Sequence, residues 1–522
     1  MFLKAFFTNS SGILTSRILG FFRDLLTATI LGSSIYSDMF FVAFKLPNLF
    51  RRVFGEGAFN QAFLPGFFNA TLRGGFALKI GLIFCVILLV ISLLVCVFSV
   101  PLTKLLAFGF SDELIKLTAP LVTINFWYLL LIFIVTLFGA MLQFKRNFTA
   151  WAYSPALLNL AMICALLLAR DSESYEAILI LSYGVLCGGI AQILLHCYPM
   201  WRLGFFRLLW VGVKEIWSVR KNAESKQDSC FGVEEAIRKD LLVSENLKNE
   251  SKSMESKQDS CLRSAVKKAK WRKETINQSV KRFFKQFSPA MFGSSTAQFA
   301  SFIDTLLASF LVSGSISCLY YANRIFQLPL AIFAIATSTA LFPLVAKYIK
   351  ESKESLALKE LSRSFWLLSI LLSLCVVGGL MLQNEIIWLL FERGKFTRQD
   401  TLICASVFGA YLIGLLPFGL ARIFSLWLYS KSLQSLAAKI SAFSLAVGTF
   451  CSFILMQYFG AIGLALGGSI SGFFVFFLTL HFFGWNRFWN ILWNPKWILS
   501  LVLILATEFL LLLGFKTYIF SL

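Results

Sequence analysis

LKIGLIFCVILLVISLLVCVFSV, residues 78–100, carries a single charge, Lys79, at its edge. About 20 apolar residues in a helix cross the hydrocarbon core of a bilayer, so this stretch reads as one membrane span. Working outward, similar stretches recur along most of the chain. Length and periodicity predict spans near 12–32, 35–55, 78–100, 118–142, 151–169, 177–198, 288–312, 318–343, 364–384, 402–428, 437–457, 461–484 and 496–514. The expected fold is all-α and polytopic, with about 13 spans and a fourteenth as the alternative. Composition agrees: 58% of the 522 residues are hydrophobic and 14% are charged, against about 25% charged in soluble domains.

The formal net charge is +21. In a soluble protein that excess would suggest nucleic acid. Here the cations fall in alternate loops, as the positive-inside rule requires of cytoplasmic ones. Arg73 and Lys79 follow the second span, Lys145 and Arg146 the fourth, and the basic stretch 200–285 the sixth. Lys347, Lys350, Lys353, Lys359 and Arg363 follow the eighth, Lys431 and Lys439 the tenth, Arg487 and Lys496 the twelfth. The other loops are mixed or acidic: Asp112/Glu113/Lys116, Asp171/Glu173/Glu176 and Glu385/Glu392/Arg393. This parity places the amino terminus in the cytoplasm and, with thirteen spans, the carboxyl terminus outside. No nucleic-acid partner is expected. The charges Arg17, Arg23 and Asp24 interrupt the first apolar segment, so no cleaved signal peptide is expected.

Residues 220–285 are polar and poor in aromatics, and ESKQDSC occurs twice, at 224–230 and 255–261. That composition predicts a tolerated insertion without a packed core; docking of a partner through Cys230 and Cys261 is the competing reading. The basic run Lys267–Arg282 is suited to the anionic leaflet as an amphipathic helix. The insertion divides the chain into an amino-terminal lobe (1–200, six spans), a basic loop (201–285), a carboxyl-terminal lobe (286–485, six spans) and a final span (486–522). The cysteines show no metal-ligand spacing, and Cys85, Cys96, Cys164 and Cys375 sit inside apolar runs. The two histidines, His196 and His481, lie at span ends. No metal and no cofactor are expected.

Charges inside spans are the informative residues. Each Arg or Lys at a helix centre costs roughly 2.5–3.5 kcal/mol on the insertion scale, so such residues usually face a wet cavity. The first span, SRILGFFRDLL, carries Arg17 and Arg23 about 120° apart, with Asp24 on the Arg17 face. In the second, Asp38, Lys45 and Arg52 recur every seven residues with Asn48 on the same stripe. Arg51 is adjacent, Pro47 can kink the helix, and Glu56 closes the segment. Arg324 and Gln327 sit in the eighth span, and Arg422 beside Pro417 in the tenth. Asp304 in the seventh is placed to pair with Arg324 across a short loop. Glu508 in the last span has no evident partner. Tyr320 and Tyr321 read as ordinary interfacial rings. Arg17, Arg23, Lys45, Arg51, Arg52, Arg324 and Arg422 outnumber Asp24, Asp38, Glu56 and Asp304. Such an excess calls for an anionic ligand, and guanidinium groups match phosphate oxygens bidentately.

At these residues a resemblance emerges. SRILGFFRD, DMFFVAFKLPNLFRRVFGEGAFNQAFLP, YYANRIFQLP and GKFT at 394–397 resemble the MurJ (MviN) family of lipid II flippases, in the multidrug/oligosaccharidyl-lipid/polysaccharide exporter superfamily. The segment 16–65 is long and specific, and the span order is similar over about 1–485 outside the insertion. The resemblance implies a MATE-like fold of two lobes around a cationic cavity. It implies transport of an undecaprenyl-diphosphate-linked disaccharide-pentapeptide from the cytoplasmic to the periplasmic leaflet of the inner membrane, for cell-wall synthesis. Matching positions are Arg17, Arg23, Asp38, Lys45, Arg51 and Arg324. The match favours Arg51 where the helical stripe favours Arg52. Departures exist: Asn323 and Gln327 are neutral where the family commonly has acids, and YSKSL places Leu433 at a usual acidic position. A proton or sodium site using those acids would lack them.

The implied mechanism is alternating access, with the diphosphate on Arg17, Arg23, Arg51 and Arg324. No Walker-type GxxxxGK[ST] is present, and the membrane potential or an unidentified ion is the expected driving force. Moving one charge through 100 mV is worth about 2.3 kcal/mol. Competing readings are a flippase for another undecaprenyl-diphosphate-linked sugar, a membrane glycosyltransferase using Asp112, Glu385 or Glu392, and a scaffold acting through 200–285. The chain is expected not to be an enzyme. Its expected partners are the lipid-linked precursor, membrane lipids and the cell-wall synthesis machinery.

Overall fold

The structure, a computed structural model, describes residues 2–55, 58–217 and 276–520. The chain is helical throughout its ordered elements, with no strand among the described residues. The first group comprises α1 (Phe2–Leu31), α2 (Ile35–Gly55), α3 (Ala58–Asn69), α4 (Arg73–Val97), α5 (Ser99–Leu106), α6 (Asp112–Phe144), α7 (Thr149–Leu168) and α8 (Ser174–Arg202). Residues 205–217 are also helical. The second comprises α9 (Ile276–Ala308), α10 (Ser315–Pro329), α11 (Ala336–Lys350), α12 (Glu354–Met381), α13 (Gln383–Phe391), α14 (Arg398–Ile413), α15 (Leu415–Ser430), α16 (Gln434–Phe483), α17 (Trp485–Leu492) and α18 (Pro495–Phe520).

Among the described residues, nine helical segments are long and apolar enough to cross a membrane. α10 and α11 form one of them, joined through a π-helical turn at Leu330–Ile335. α1, α2 and α9 are also long helices that coincide with expected spans, but polar residues such as Arg17, Arg23, Asp24, Asp38, Lys45 and Asp304 interrupt them. The 50-residue α16 holds the two segments expected at 437–457 and 461–484, which meet at Gly460 (φ 55°). Its halves fold back on each other: Ser452 Oγ donates to the Leu464 carbonyl. The close approach requires glycine. A Cβ at Gly467 would stand 2.6 Å from Ser452 N, and one at Gly463 would stand 2.7 Å from Met456 N. Helices in lipid associate through such small-residue contacts, because lipid is as apolar as leucine. Gly467→Val is therefore expected to cost about 1–3 kcal/mol by overpacking, read as a lower unfolding temperature in detergent. An unchanged transition would show that the hairpin gives way freely.

Within the first group, α7 packs on α1 and α8, and α6 packs on α2, α4 and α8. In the second, α14, α15 and α16 pack together, with α12 against α15. α9 joins both. Its Phe283 and Phe287 enter an aromatic cluster with Phe59, Phe84 and Phe133, while the helix also lies against α16. It begins at Ile276, so the helix starts inside the stretch expected to be loop up to residue 285. The duplicated ESKQDSC segments and most of the basic run from Lys267 lie outside the described residues.

The lipid-facing surface is apolar. α4 exposes Leu82, Val86, Ile87, Leu89, Val90, Leu93 and Leu94. α18 is peripheral and packs on α12, with Trp497 stacked on Trp366 and Lys516 paired with Glu385 at 3.2 Å. One carboxyl oxygen of Glu508 is buried without a hydrogen-bond partner among the described residues, beside Gly378.

Candidate functional site at the seam between the helix groups

The charged residues of α1, α2, α9 and α10 converge on the seam between the two groups. Asp24 is central and buried. Its Oδ1 accepts from Arg23 Nη2 at 2.5 Å and its Oδ2 from Arg324 Nε at 2.7 Å. Tyr320 completes the knot. Its hydroxyl accepts from Arg23 Nη2 at 2.9 Å and donates to Asp24 Oδ1 at 3.2 Å, and its ring lies under the Arg324 guanidinium at 5.5 Å. Asn159 of α7 accepts from Arg23 Nη1 at 3.0 Å and donates to the Ser16 carbonyl at 2.9 Å. One carboxylate thus joins two arginines from different helix groups. With excellent geometry on every partner, such an arrangement can offset the cost of burying its charges.

The two arginines differ in access. The Arg23 side chain is 8% exposed, whereas Arg324 is 35% exposed. Arg17, Asp304 and Gln327 are exposed too. Arg324 and Arg17 are therefore accessible, whereas Arg23 is shielded.

On α2, Lys45 Nζ donates to Ser301 Oγ of α9 at 2.8 Å and lies within electrostatic reach of Asp304. Arg51 is anchored by its own helix, with Nη2 donating to Asn48 Oδ1 at 2.9 Å. Pro47 lies inside α2. The Arg52 side chain and all of Glu56 lie outside the described residues. At the seam, Asp24 meets Arg23 and Arg324, and Asp304 lies within reach of Lys45.

Two expectations are corrected. Arg324 pairs with Asp24 across the seam, not with Asp304, because α9 turns its acid toward Lys45 of α2. Asp24 neutralises Arg23 and Arg324, and Arg17 is exposed. Tyr320 and Tyr321 are not interfacial rings. Tyr320 holds the knot, and Tyr321 is fully buried against Phe41, Phe391 and Phe396. Arg422 is exposed on α15 and makes no polar contact with this network among the described residues.

The seam is fastened at the end away from the basic loops. Asp38 accepts from Gly314 N at 2.7 Å, and from Ser317 N and Ser317 Oγ at 2.8 Å each. It thereby caps the amino terminus of α10 from the other helix group, where unpaired N–H groups and the helix dipole favour an anion. Ser33 Oγ donates to the Gly314 carbonyl at 2.8 Å and touches Cys318 Sγ at 3.0 Å. The GKFT loop closes on the other side: Lys395 N donates to the Thr29 carbonyl at 2.8 Å. Gly394 (φ +61°) lies directly against that carbonyl, where a side chain would collide. The sequence assigned no role to GKFT, Ser33, Ser317 or Asn159. The paired glycines with left-handed backbone, Gly314 and Gly394, are the signal that could have marked these contacts.

A helical bundle with two groups of membrane-length helices, joined by a cationic knot at their seam, defines a polytopic transporter of alternating-access architecture. The family model described as "Lipid II flippase MurJ" matches residues 27–228 and 257–522, and the chain belongs to that family. It is 49% identical over 492 residues to a Helicobacter pylori protein (strain ATCC 700392 / 26695) named "Probable lipid II flippase MurJ", covering 94% of this chain and 97% of that one. Its fold is similar to a structure titled "Lipid II flippase MurJ, inward closed conformation" (TM-score 0.68, 22% identity, 98% of each chain). It is also similar to an inward-facing multidrug-resistance MATE transporter (TM-score 0.63, 11% identity, 91% of this chain and 94% of that one).

Proposed function

We propose that this chain moves lipid II, the undecaprenyl-diphosphate-linked disaccharide-pentapeptide, from the cytoplasmic to the periplasmic leaflet of the bacterial inner membrane. Family membership supports the substrate. The observation that carries the mechanism is the Asp24 knot, which ties Arg23 and Arg324 together across the seam while Arg324 stays reachable. The diphosphate binds Arg324 and Arg17 and competes with Asp24 for the guanidinium. Arg51 and Lys45 extend the positive wall toward the basic end. Once the phosphate oxygens satisfy Arg324, Asp24 no longer has to hold the two groups together, and they can rock. A ligand shifts such an equilibrium only by binding the two states differently, and releasing one partner of a buried ion pair supplies that difference.

The fastened end corresponds to the periplasmic side on the positive-inside reading, with the amino terminus in the cytoplasm. Substrate entry is then from the cytoplasmic leaflet. A head group of about two negative charges leaving a negative interior gains roughly twice 2.3 kcal/mol per 100 mV. That gain makes the membrane potential a sufficient driving force, delivering the precursor to the cell-wall synthesis machinery outside.

The test replaces Arg17, Arg51 and Arg324 singly with Ala in cells depleted of their native flippase, and probes lipid II with an enzyme added outside. Variants that accumulate normally are expected to leave lipid II protected. Normal cleavage with all three would sink the anion-site reading.

A further inference from the structure

The seam does not use a second cationic pocket, at the basic end of the first helix group. A cavity of about 230 Å³ is lined by Phe67, Arg73, Phe144, Lys145, Leu203, Gly204, Phe205 and Leu208. Arg73 opens α4 and Lys145 follows α6, so both cations stand where two spans leave the membrane. The Arg73 guanidinium lies over the Phe144 ring at 5.1 Å and donates to the Phe68 carbonyl at 3.2 Å. Lys145 is exposed, and its side chain makes no hydrogen bond or ion pair among the described residues.

The pocket is built into the fold. The helix at 205–217 crosses the start of α4 at backbone contact: a Cβ at Gly212 would stand 2.8 Å from Gly75 N. Glu215 accepts from that same Gly75 N at 2.6 Å. Phe205 is buried, whereas Trp201, Trp210 and Trp217 are exposed. Exposed tryptophans beside a span end mark the headgroup level of a bilayer. The pocket therefore combines two cations, the first turn of a helix, apolar walls and a tryptophan fringe at membrane depth.

We propose that this pocket binds the phosphodiester of an anionic phospholipid from the cytoplasmic leaflet. The phosphate sits between Arg73 and Lys145, and the glycerol and upper acyl chains lie on Phe144, Phe205 and Leu208. The basic loops at this end attract anionic lipid, and the apolar walls distinguish a lipid from a free ion. Bound there, the lipid pins α3, α4, α6 and the helix at 205–217 at one edge, as a fixed base for the moving seam.

The test uses the purified full chain in neutral detergent and counts bound lipid by native mass spectrometry. Dioleoylphosphatidylglycerol, dioleoylphosphatidylcholine and inorganic phosphate are titrated separately. The chain is expected to retain one phosphatidylglycerol at least tenfold more tightly than phosphatidylcholine. Arg73→Gln with Lys145→Gln is expected to erase that preference, whereas Lys214→Gln, which removes a cation of the helix at 205–217 outside the pocket, keeps it. If the double variant does not accumulate, Lys145→Glu alone reads the loss, and Arg73→Lys with Lys145→Arg is expected to keep binding. Equal lipid retention by the charge-removed variants overturns the proposal. So does displacement of the lipid by millimolar inorganic phosphate, which would make the pocket a free-phosphate site.

Discussion

Asp24→Asn is expected to abolish export and to lower the unfolding temperature at the same time. The carboxylate is the shared acceptor for Arg23 Nη2 and Arg324 Nε, and it is almost wholly buried, at 3% side-chain exposure. Asn is nearly isosteric but neutral, so both guanidinium groups lose their counter-charge, and Arg23 cannot reach water. Removing one partner of a buried ion pair costs about 3–5 kcal/mol, mostly from the charge left behind. Adding Arg23→Gln removes that stranded charge. The double variant is expected to recover much of the thermal stability without recovering export. Thermal unfolding and outer-leaflet access to lipid II separate the two effects. If Asp24→Asn exports normally, the knot is structural ornament and the diphosphate is held elsewhere.

The second large effect is a lock. Ser33 Oγ lies 3.0 Å from Cys318 Sγ, across the fastened end of the seam. Ser33→Cys therefore needs little backbone movement to form a disulfide, whose Cβ atoms stand about 3.8 Å apart. Cys404, whose Sγ lies 3.7 Å from the Cys318 carbonyl, is first replaced by Ser so that no competing pair forms. Oxidised Ser33→Cys protein is expected to stop exporting, and reductant is expected to restore export in the same membranes. A cross-linked chain that still exports would show that this end does not open during the cycle.

How much of this was legible in the sequence follows the physics of each part. Apolar runs such as 78–100 reveal spans because a helix must satisfy its own backbone groups in lipid. Charges such as Arg17, Arg23 and Arg324 stand out because lipid penalises them, and their positive sum already pointed to an anion. Their partners were not legible. Asp24 and Arg324 are 300 residues apart, and no local periodicity connects them. The sequence-nearest acid, Asp304, was the natural guess, yet it faces Lys45 because α9 leans on the first group through Phe283 and Phe287.

The amino-acid sequence alone thus determined the all-helical membrane fold, the alternation of basic loops and the cationic character of the interior. These depend on local composition and on the solvent each segment must face. Only the tertiary structure decided which acid neutralises which arginine. It also showed that Tyr320 and Asn159 hold the knot, and that Asp38, Ser33 and GKFT fasten one end. Those assignments depend on how two helix groups meet, and contacts across a seam are set by packing that no single segment encodes.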